Sequence, residues 1–323
     1  MRRLNLRHYA MSSCATAALL AGCGGSQPPI GASGAIPQTS GMDSLRPFSR
    51  YRSAGGDQVQ YVTGAYPGSI EEFDYPRSDL PIHSVRRGHK SYAECTKGSG
   101  TFWVVEETAA KIVEFAASRK KIGKPIKTLT VPSTPWDCSV DPTTGNLEVS
   151  LIDTSSVVVF TNASGPGQVI SDKLRNTGSS TYDSEGDLFV SGEIDSKRAL
   201  VELPKGQVGF QEISLPSEVT RAPSGFAFIR WDGTYLAWFI SASNGDVYRL
   251  SISGSQAYLE STVTLKNAGY CGWFWIWTEA GLLFCGPEGQ YANVYDYPTG
   301  GSPIALLGPM AIGESVSVVS LQP

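Results

Sequence analysis

The stretch Asp141-Pro142-Thr143-Thr144-Gly145, running into Asn146-Leu147-Glu148-Val149 and then Ser156-Val157-Val158-Val159-Phe160, reads as a tight turn, a short strand, a polar loop and a second strand. Asp and Gly four residues apart suit a hairpin, since the Asp side chain accepts turn N–H groups and Gly takes positive φ. The β-branched runs are too short for helices and fit strands. A residue-period helix pattern is weak everywhere beyond residue 57, with Glu106–Ala117 the one stretch that suggests it.

The unit recurs along the chain. Strands equivalent to Asn146–Val149 are Gln60-Tyr61-Val62-Thr63, Thr101-Phe102-Trp103-Val104, Asp187-Leu188-Phe189-Val190, Leu236-Ala237-Trp238-Phe239 and Leu282-Leu283-Phe284-Cys285. Taking Val62, Val104, Val149, Val190, Phe239 and Phe284 as equivalent, the separations are 42, 45, 41, 49 and 45 residues. That period is one four-stranded propeller blade. A third strand follows each, as in Lys111–Phe115, Ala199–Pro204, Asp246–Leu250 and Ala292–Pro298.

The first copy has no inner strand before Val59, and the sequence finishes on an unassigned strand, Glu314–Leu321. Joined, the two complete one blade and remove an open sheet edge. The expected fold is all-β: a six-bladed β-propeller closed by the C-terminal strand, or seven blades if Glu193–Arg230 holds further strands.

The N-terminal region reads differently. Arg2, Arg3 and Arg7 precede an apolar, small-residue stretch, Ala10–Ala21, too short to span a bilayer but suited to an export signal. It ends in Leu20-Ala21-Gly22-Cys23, which resembles the lipobox of bacterial lipoproteins. The resemblance implies cleavage before Cys23 and lipidation of that residue; more than one acyl chain anchors a protein stably. Gly24 after it favours the outer membrane where a cell has two. Residues 24–56 hold seven Gly, six Ser and four Pro, a composition that does not offset the entropy of ordering. The expected organisation is therefore 1–22 signal peptide, 23–56 lipidated Cys and flexible tether, and 57–323 propeller.

Of the 323 residues, 41% are hydrophobic and 17% charged, enough to build a sizeable core. The formal charge of −4 falls to −7 once Arg2, Arg3 and Arg7 are removed, leaving no basic tract for phosphate neutralisation. Nucleic acid is excluded as an expected partner. No Gly-x-Ser-x-Gly elbow, phosphate loop or Cys-x-x-Cys-His site is present.

Pro135–Leu147 and Asp296-Tyr297-Pro298-Thr299-Gly300-Gly301 resemble repeats of the NHL-like and gluconolactonase-like propeller superfamily, bacterial lipoproteins of unknown function among them. The resemblance covers 57–323. It implies the fold strongly and function weakly, because such blades serve binding scaffolds, lactonases and lyases. Propeller ligands usually meet the face bearing the loops that lead into each inner strand. Those loops offer Arg86, Arg87, His89, Trp136, Asp137, Arg221 and Tyr270 as contacts. A lactonase reading needs converging oxygen ligands for Ca²⁺ or Mg²⁺; Glu94, Asp137, Asn176 and Asn267 lie near such positions, but at ragged spacings. His83 and His89, six apart in a loop, do not match a zinc spacing.

Cys95, Cys138, Cys271 and Cys285 form an even set, which in an exported protein suggests disulfides with three connectivities. Neighbouring inner strands favour Cys95–Cys138 and one blade favours Cys271–Cys285; buried free thiols are the alternative. Trp273, Trp275 and Trp277 repeat at period two, as blade packing or a sugar platform would require, and packing is the expected role.

The reading that results is a lipid-anchored propeller in the bacterial cell envelope, periplasm-facing if two membranes are present. It acts as a monomeric binding scaffold for an envelope protein, peptide or glycan, without catalytic residues or a cofactor. The alternative is a divalent-metal-dependent hydrolase or lactonase at the channel mouth.

Overall fold

The computed structural model describes residues 59–323 except 66–67, 76–82, 99, 119–121, 221–226, 241–244, 269–270, 288–290, 308–312 and 321–323. The expected signal peptide, Cys23 and the expected tether lie outside the described residues. Among those described, no helix is long and apolar enough to cross a membrane.

The described residues form six four-stranded antiparallel sheets. The first holds β1 (Val59–Ala65), β2 (Ser69–Tyr75) and β3 (His83–Arg86); the second, β4 (Ser91–Thr96), β5 (Thr101–Glu106), β6 (Lys111–Ala116) and β7 (Lys127–Thr130). The third holds β8 (Pro135–Val140), β9 (Leu147–Leu151), β10 (Ser156–Phe160) and β11 (Gln168–Ser171). The fourth holds β12 (Ser180–Tyr182), β13 (Leu188–Ile194), β14 (Lys197–Leu203) and β15 (Gln211–Ile213). The fifth holds β16 (Ala227–Trp231), β17 (Leu236–Ile240), β18 (Asp246–Ser253) and β19 (Gln256–Thr264). The sixth holds β20 (Cys271–Trp277), β21 (Leu282–Pro287), β22 (Ala292–Asp296) and β23 (Ala305–Leu307), and β24 (Gly313–Ser320) returns to pair with β1.

The inner strands β24, β4, β8, β12, β16 and β20 neighbour one another around a closed ring. This is a six-bladed β-propeller. The region Glu193–Arg230 holds β14, β15 and a four-residue helix at Ser217–Thr220, and no further sheet arises from its described residues. The helical hint at Glu106–Ala117 resolves into a single 3-10 turn, Glu107–Ala109, followed by β6.

Register explains the repeat. Val104, Val149, Val190, Phe239 and Phe284 pair outward with Val113, Val158, Val201, Val247 and Val294, and Val62 pairs with Glu72. On the inner side they face Glu94, Cys138, Ser180, Phe228 and Trp275. Because side chains alternate across a sheet, each blade presents one apolar row to each neighbour. Between blades two and three that row includes Cys95, Trp103, Val105, Cys138, Leu147 and Val149, all nearly inaccessible to solvent.

The hairpins between inner and second strands share a cap. The Asp141 carboxylate accepts from Thr143 N at 2.7 Å, Asp183 accepts from Glu185, Gly186 and Asp187 N at 2.8–3.0 Å, and Asp232 accepts from Thr234 and Tyr235 N. Gly186 has φ of +92°, and a Cβ there would stand 2.8 Å from Thr143 Oγ1, so this turn needs glycine for both backbone and space.

Candidate functional site

A cavity of about 280 Å³ opens on the face bearing these capped hairpins. Its walls include Trp231 of β16, Trp275 of β20, Tyr182 of β12 and the Cys95–Cys138 disulfide joining β4 to β8. Lys97, exposed in the β4–β5 turn, and Pro142 and Ser184 stand at its rim. The cavity is lined by the C-terminal halves of five inner strands. It therefore lies at the opposite end of the propeller from the loops that lead into those strands, where the sequence pointed.

Several wall hydroxyls are already engaged by protein. Ser139 Oγ accepts from Tyr182 N, Thr181 Oγ1 accepts from Trp231 N, and Thr96 Oγ1 donates to Thr101 O. The cavity wall thus combines aromatic side chains with hydroxyls already held by backbone partners.

Asp137, Ser180 and Arg230 form a polar network beneath the cavity. Arg230 Nη1 donates to Asp137 Oδ2 at 2.9 Å and to Ser179 Oγ at 2.8 Å, and Nη2 donates to Asp137 Oδ1 at 3.3 Å. Ser180 N and Ser179 Oγ also donate to Asp137 Oδ2, and Cys138 N donates to Oδ1. The guanidinium lies 6.0 Å from the Trp273 ring, which itself packs on Phe228. Blades three, four and five, with an aromatic from blade six, thus share one buried ion pair; each partner compensates the other's desolvation.

A second carboxyl lies beside it. Glu148 of β9 is wholly buried; its Oε1 accepts from Ser150 Oγ at 2.8 Å and its Oε2 from Ser180 Oγ. Burial, with Asp137 and Asp172 nearby, pushes its pKa up to about 8 against the pull of the two serine hydroxyls. Asp172, also buried, accepts from Leu174 N at 2.9 Å and from Thr177 Oγ1 at 2.8 Å, and burial raises its pKa to about 6.

The residues singled out from sequence are dispersed. Arg87 is tied to Glu106 at 2.8 Å and lies over Phe115, which makes it a fastening between loop and blade two. Arg86 ends the outer strand β3 and is exposed, as is His89. Trp136 packs 5.7 Å from Trp273, in the channel. Cys95 and Cys138 meet across the blade boundary, so Glu94 and Asp137, next to them in sequence, leave on the far sides of that pair. Asn176 donates its amide to Glu193 beside β13, and Asn267 sits in an exposed positive-φ turn after the outer strand β19. Asp137 is thus held by Arg230, and the oxygen set considered for a divalent ion is spread over different elements; among the described residues no cluster of three His, Cys, Asp or Glu is placed to hold a metal. Arg221 and Tyr270 lie outside the described residues.

Cys271 and Cys285 are joined within blade six. The tryptophans of β20 divide: Trp273 belongs to the cluster around the channel, while Trp275 and Trp277 pack partly buried on Leu282 and Phe284. A register shift between Cys271 and Trp273 interrupts the simple alternation.

Glu148, Ser180 and Arg230 were not among the sequence candidates. The signal was present in the repeat: the residue before each marker is Tyr61, Trp103, Phe189, Trp238 or Leu283 in five copies and Glu148 in the sixth. A carboxyl in a row of large apolar residues announces a buried polar seam.

No protein family and no curated protein matches the chain. Solved structures do. A chain in the crystal structure of a nidogen/laminin complex superposes with a TM-score of 0.59 at 11% identity, covering 82% of this chain and 98% of that one. A functionally unknown protein from Desulfotomaculum acetoxidans DSM 771 superposes with a TM-score of 0.56 at 9% identity, covering 82% and 99%. At such identities the likeness establishes the propeller fold and no more.

Proposed function

We propose that this protein is a lipid-anchored, extracytoplasmic propeller of the NHL-like and gluconolactonase-like kind, acting as a binding scaffold that receives one ring-sized group of an envelope partner in the turn-face cavity. The observation that carries the reading is the contrast between wall and floor. The walls present Trp231, Trp275 and Tyr182, whereas the groups suited to chemistry, Asp137, Arg230 and Glu148, are engaged with protein partners. Aromatic faces with fixed polar neighbours suit a sugar ring or a flat side chain. The divalent-metal hydrolase alternative draws no support from the positions of Glu94, Asp137, Asn176 and Asn267.

Two disulfides support an oxidising compartment, and the Leu20–Cys23 pattern supports export with lipidation. Fluorine NMR of the full chain labelled with fluorotryptophan tests the binding site. N-acetylglucosamine and indole are the probes, and the expected result is a shift of the Trp231 and Trp275 signals by at least one of them. Shifts confined to tryptophans outside the cavity would refute this location. Intact-mass measurement tests the anchor: a diacylated Cys23 is expected, with release into the soluble fraction on Cys23→Ser.

A further inference from the structure

We propose that the cavity is proton-gated: the charge on Glu148, transmitted through Ser180, sets the shape of the cavity wall. One guanidinium, Arg230, serves this part of the blade three–four seam, and it is held by Asp137. Glu148 is hydrogen-bonded by two serine hydroxyls, so a second negative charge here meets no cation among the described residues. Burying such a charge is costly, and the favoured state at neutral pH is the protonated acid.

The groups facing Glu148 reinforce this. Asp137 on β8 and Asp172 before β12 both add negative potential, and Tyr182 on β12 is a neutral phenol that itself feels Glu148. Arg230 on β16 is the positive group, reaching Ser180 O at 3.1 Å. On the other side β10 offers Val159 opposite Glu148 and Val157 opposite Ser150, neither of which is charged.

Transmission takes one hydrogen bond. Ser180 donates to Glu148 and also lines the cavity; the next residue, Thr181, accepts from Trp231 N at 3.1 Å. Ionisation of Glu148 adds a charge beside Asp137, draws hydroxyls and water toward it and shifts β12 against β8. Ser180, Thr181 and Trp231 move with it. The gating claim concerns the cavity of the proposed binding function, and it rests on that reading for its biological use, not for its physics.

The test follows the fluorine signals of Trp231 and Trp275 in the fluorotryptophan-labelled full chain, assigned with Trp231→Phe and Trp275→Phe, from about pH 6 to about pH 10. Both signals are expected to titrate together with a midpoint near pH 8, and to stay flat in Glu148→Gln, which holds the seam neutral. Ser180→Ala is expected to keep a carbon-13 titration of the Glu148 carboxyl, moved to higher pH by loss of the hydroxyl that favours the charged form, while silencing the tryptophan response, and it serves also if Glu148→Gln does not fold. Flat tryptophan signals in the parent chain, or an unchanged response in Ser180→Ala, would overturn the proposal. Probe binding separates the two readings. If N-acetylglucosamine or indole binds, affinity is expected to fall about tenfold once Glu148 ionises, one pKa unit of coupling. A pH-independent affinity with flat signals overturns the gate and leaves the binding site standing; titrating signals with no probe binding support the gate and count against the binding site.

Discussion

Arg230 and Asp137 are 93 residues apart and belong to blades that are not neighbours, yet their charged groups lie 2.9 Å from each other. The bond passes over the inner strand of blade four, where Ser179 contacts both partners. Three blades are thereby held in one arrangement by a contact near the axis. Arg230→Ala strands a buried carboxylate and is expected to lower stability by about 3–5 kcal/mol. The double replacement Asp137→Leu with Arg230→Met is expected to recover most of that loss. Urea denaturation of the three proteins checks both statements, and additive losses would argue against the coupling.

Glu148 predicts the pH dependence of folding. Its pKa rises from an ordinary 4.5 to about 8 in the folded chain, so the folded state holds a proton that the unfolded state has released between those values. Stability from this group is complete below about pH 4.5, falls as pH rises toward 8 and is level beyond. Asp172, raised to about 6, adds a loss of the same sign at lower pH. Thermal melts of the parent chain across this range are expected to show the decline, and those of Glu148→Gln a much shallower one.

The two disulfides close loops of different length, with sequence separations of 43 for Cys95–Cys138 and 14 for Cys271–Cys285. Loop-closure entropy assigns about 4 kcal/mol to the first and about 3 kcal/mol to the second. Paired Cys→Ser variants should rank in that order in chemical denaturation. Mass measurement after alkylation without reductant should find all four thiols protected in the parent chain.

Asp232 joins more than its own turn. Beyond the turn amides it accepts from Arg249 Nε and from the Tyr297 hydroxyl, each at 2.7 Å, and so links blade five to blade six. Asp232→Ala is expected to cost about 3 kcal/mol, because a charge-assisted network loses its acceptor. Tyr297→Phe removes one bond and keeps the ring, with about 1 kcal/mol expected. Calorimetry on both variants distinguishes the network from simple packing.

The fold could be read because a blade is a local object. Val149, Val158 and Cys138 lie within 21 residues of sequence and pair directly, and the same spacing recurs around the ring. The hairpin caps were equally legible, since Asp141 and Gly145 act within one turn. Contacts between blades have no such period. Nothing adjacent to Asp137 indicates that its partner is Arg230, and the composition of the loops His83–Lys90 and Asn267–Tyr270 gives no sign of the cavity at the other end of the strands. Glu148 was visible as an exception within its repeat, and recognising it required comparing blades position by position rather than searching for clusters of charge.

The clasp between β1 and β24 has a temporal consequence. Val59 pairs with Ser320, so one edge of β1 stays unsatisfied until nearly the whole of the rest of the propeller has been synthesised. During that interval β1 offers a row of backbone donors and acceptors to any strand of matching length, including the β24 of another molecule. A chain that emerges from a narrow pore in N-to-C order would have to keep that edge shielded, and reciprocal exchange between two crowded copies is the characteristic misassembly of such a ring.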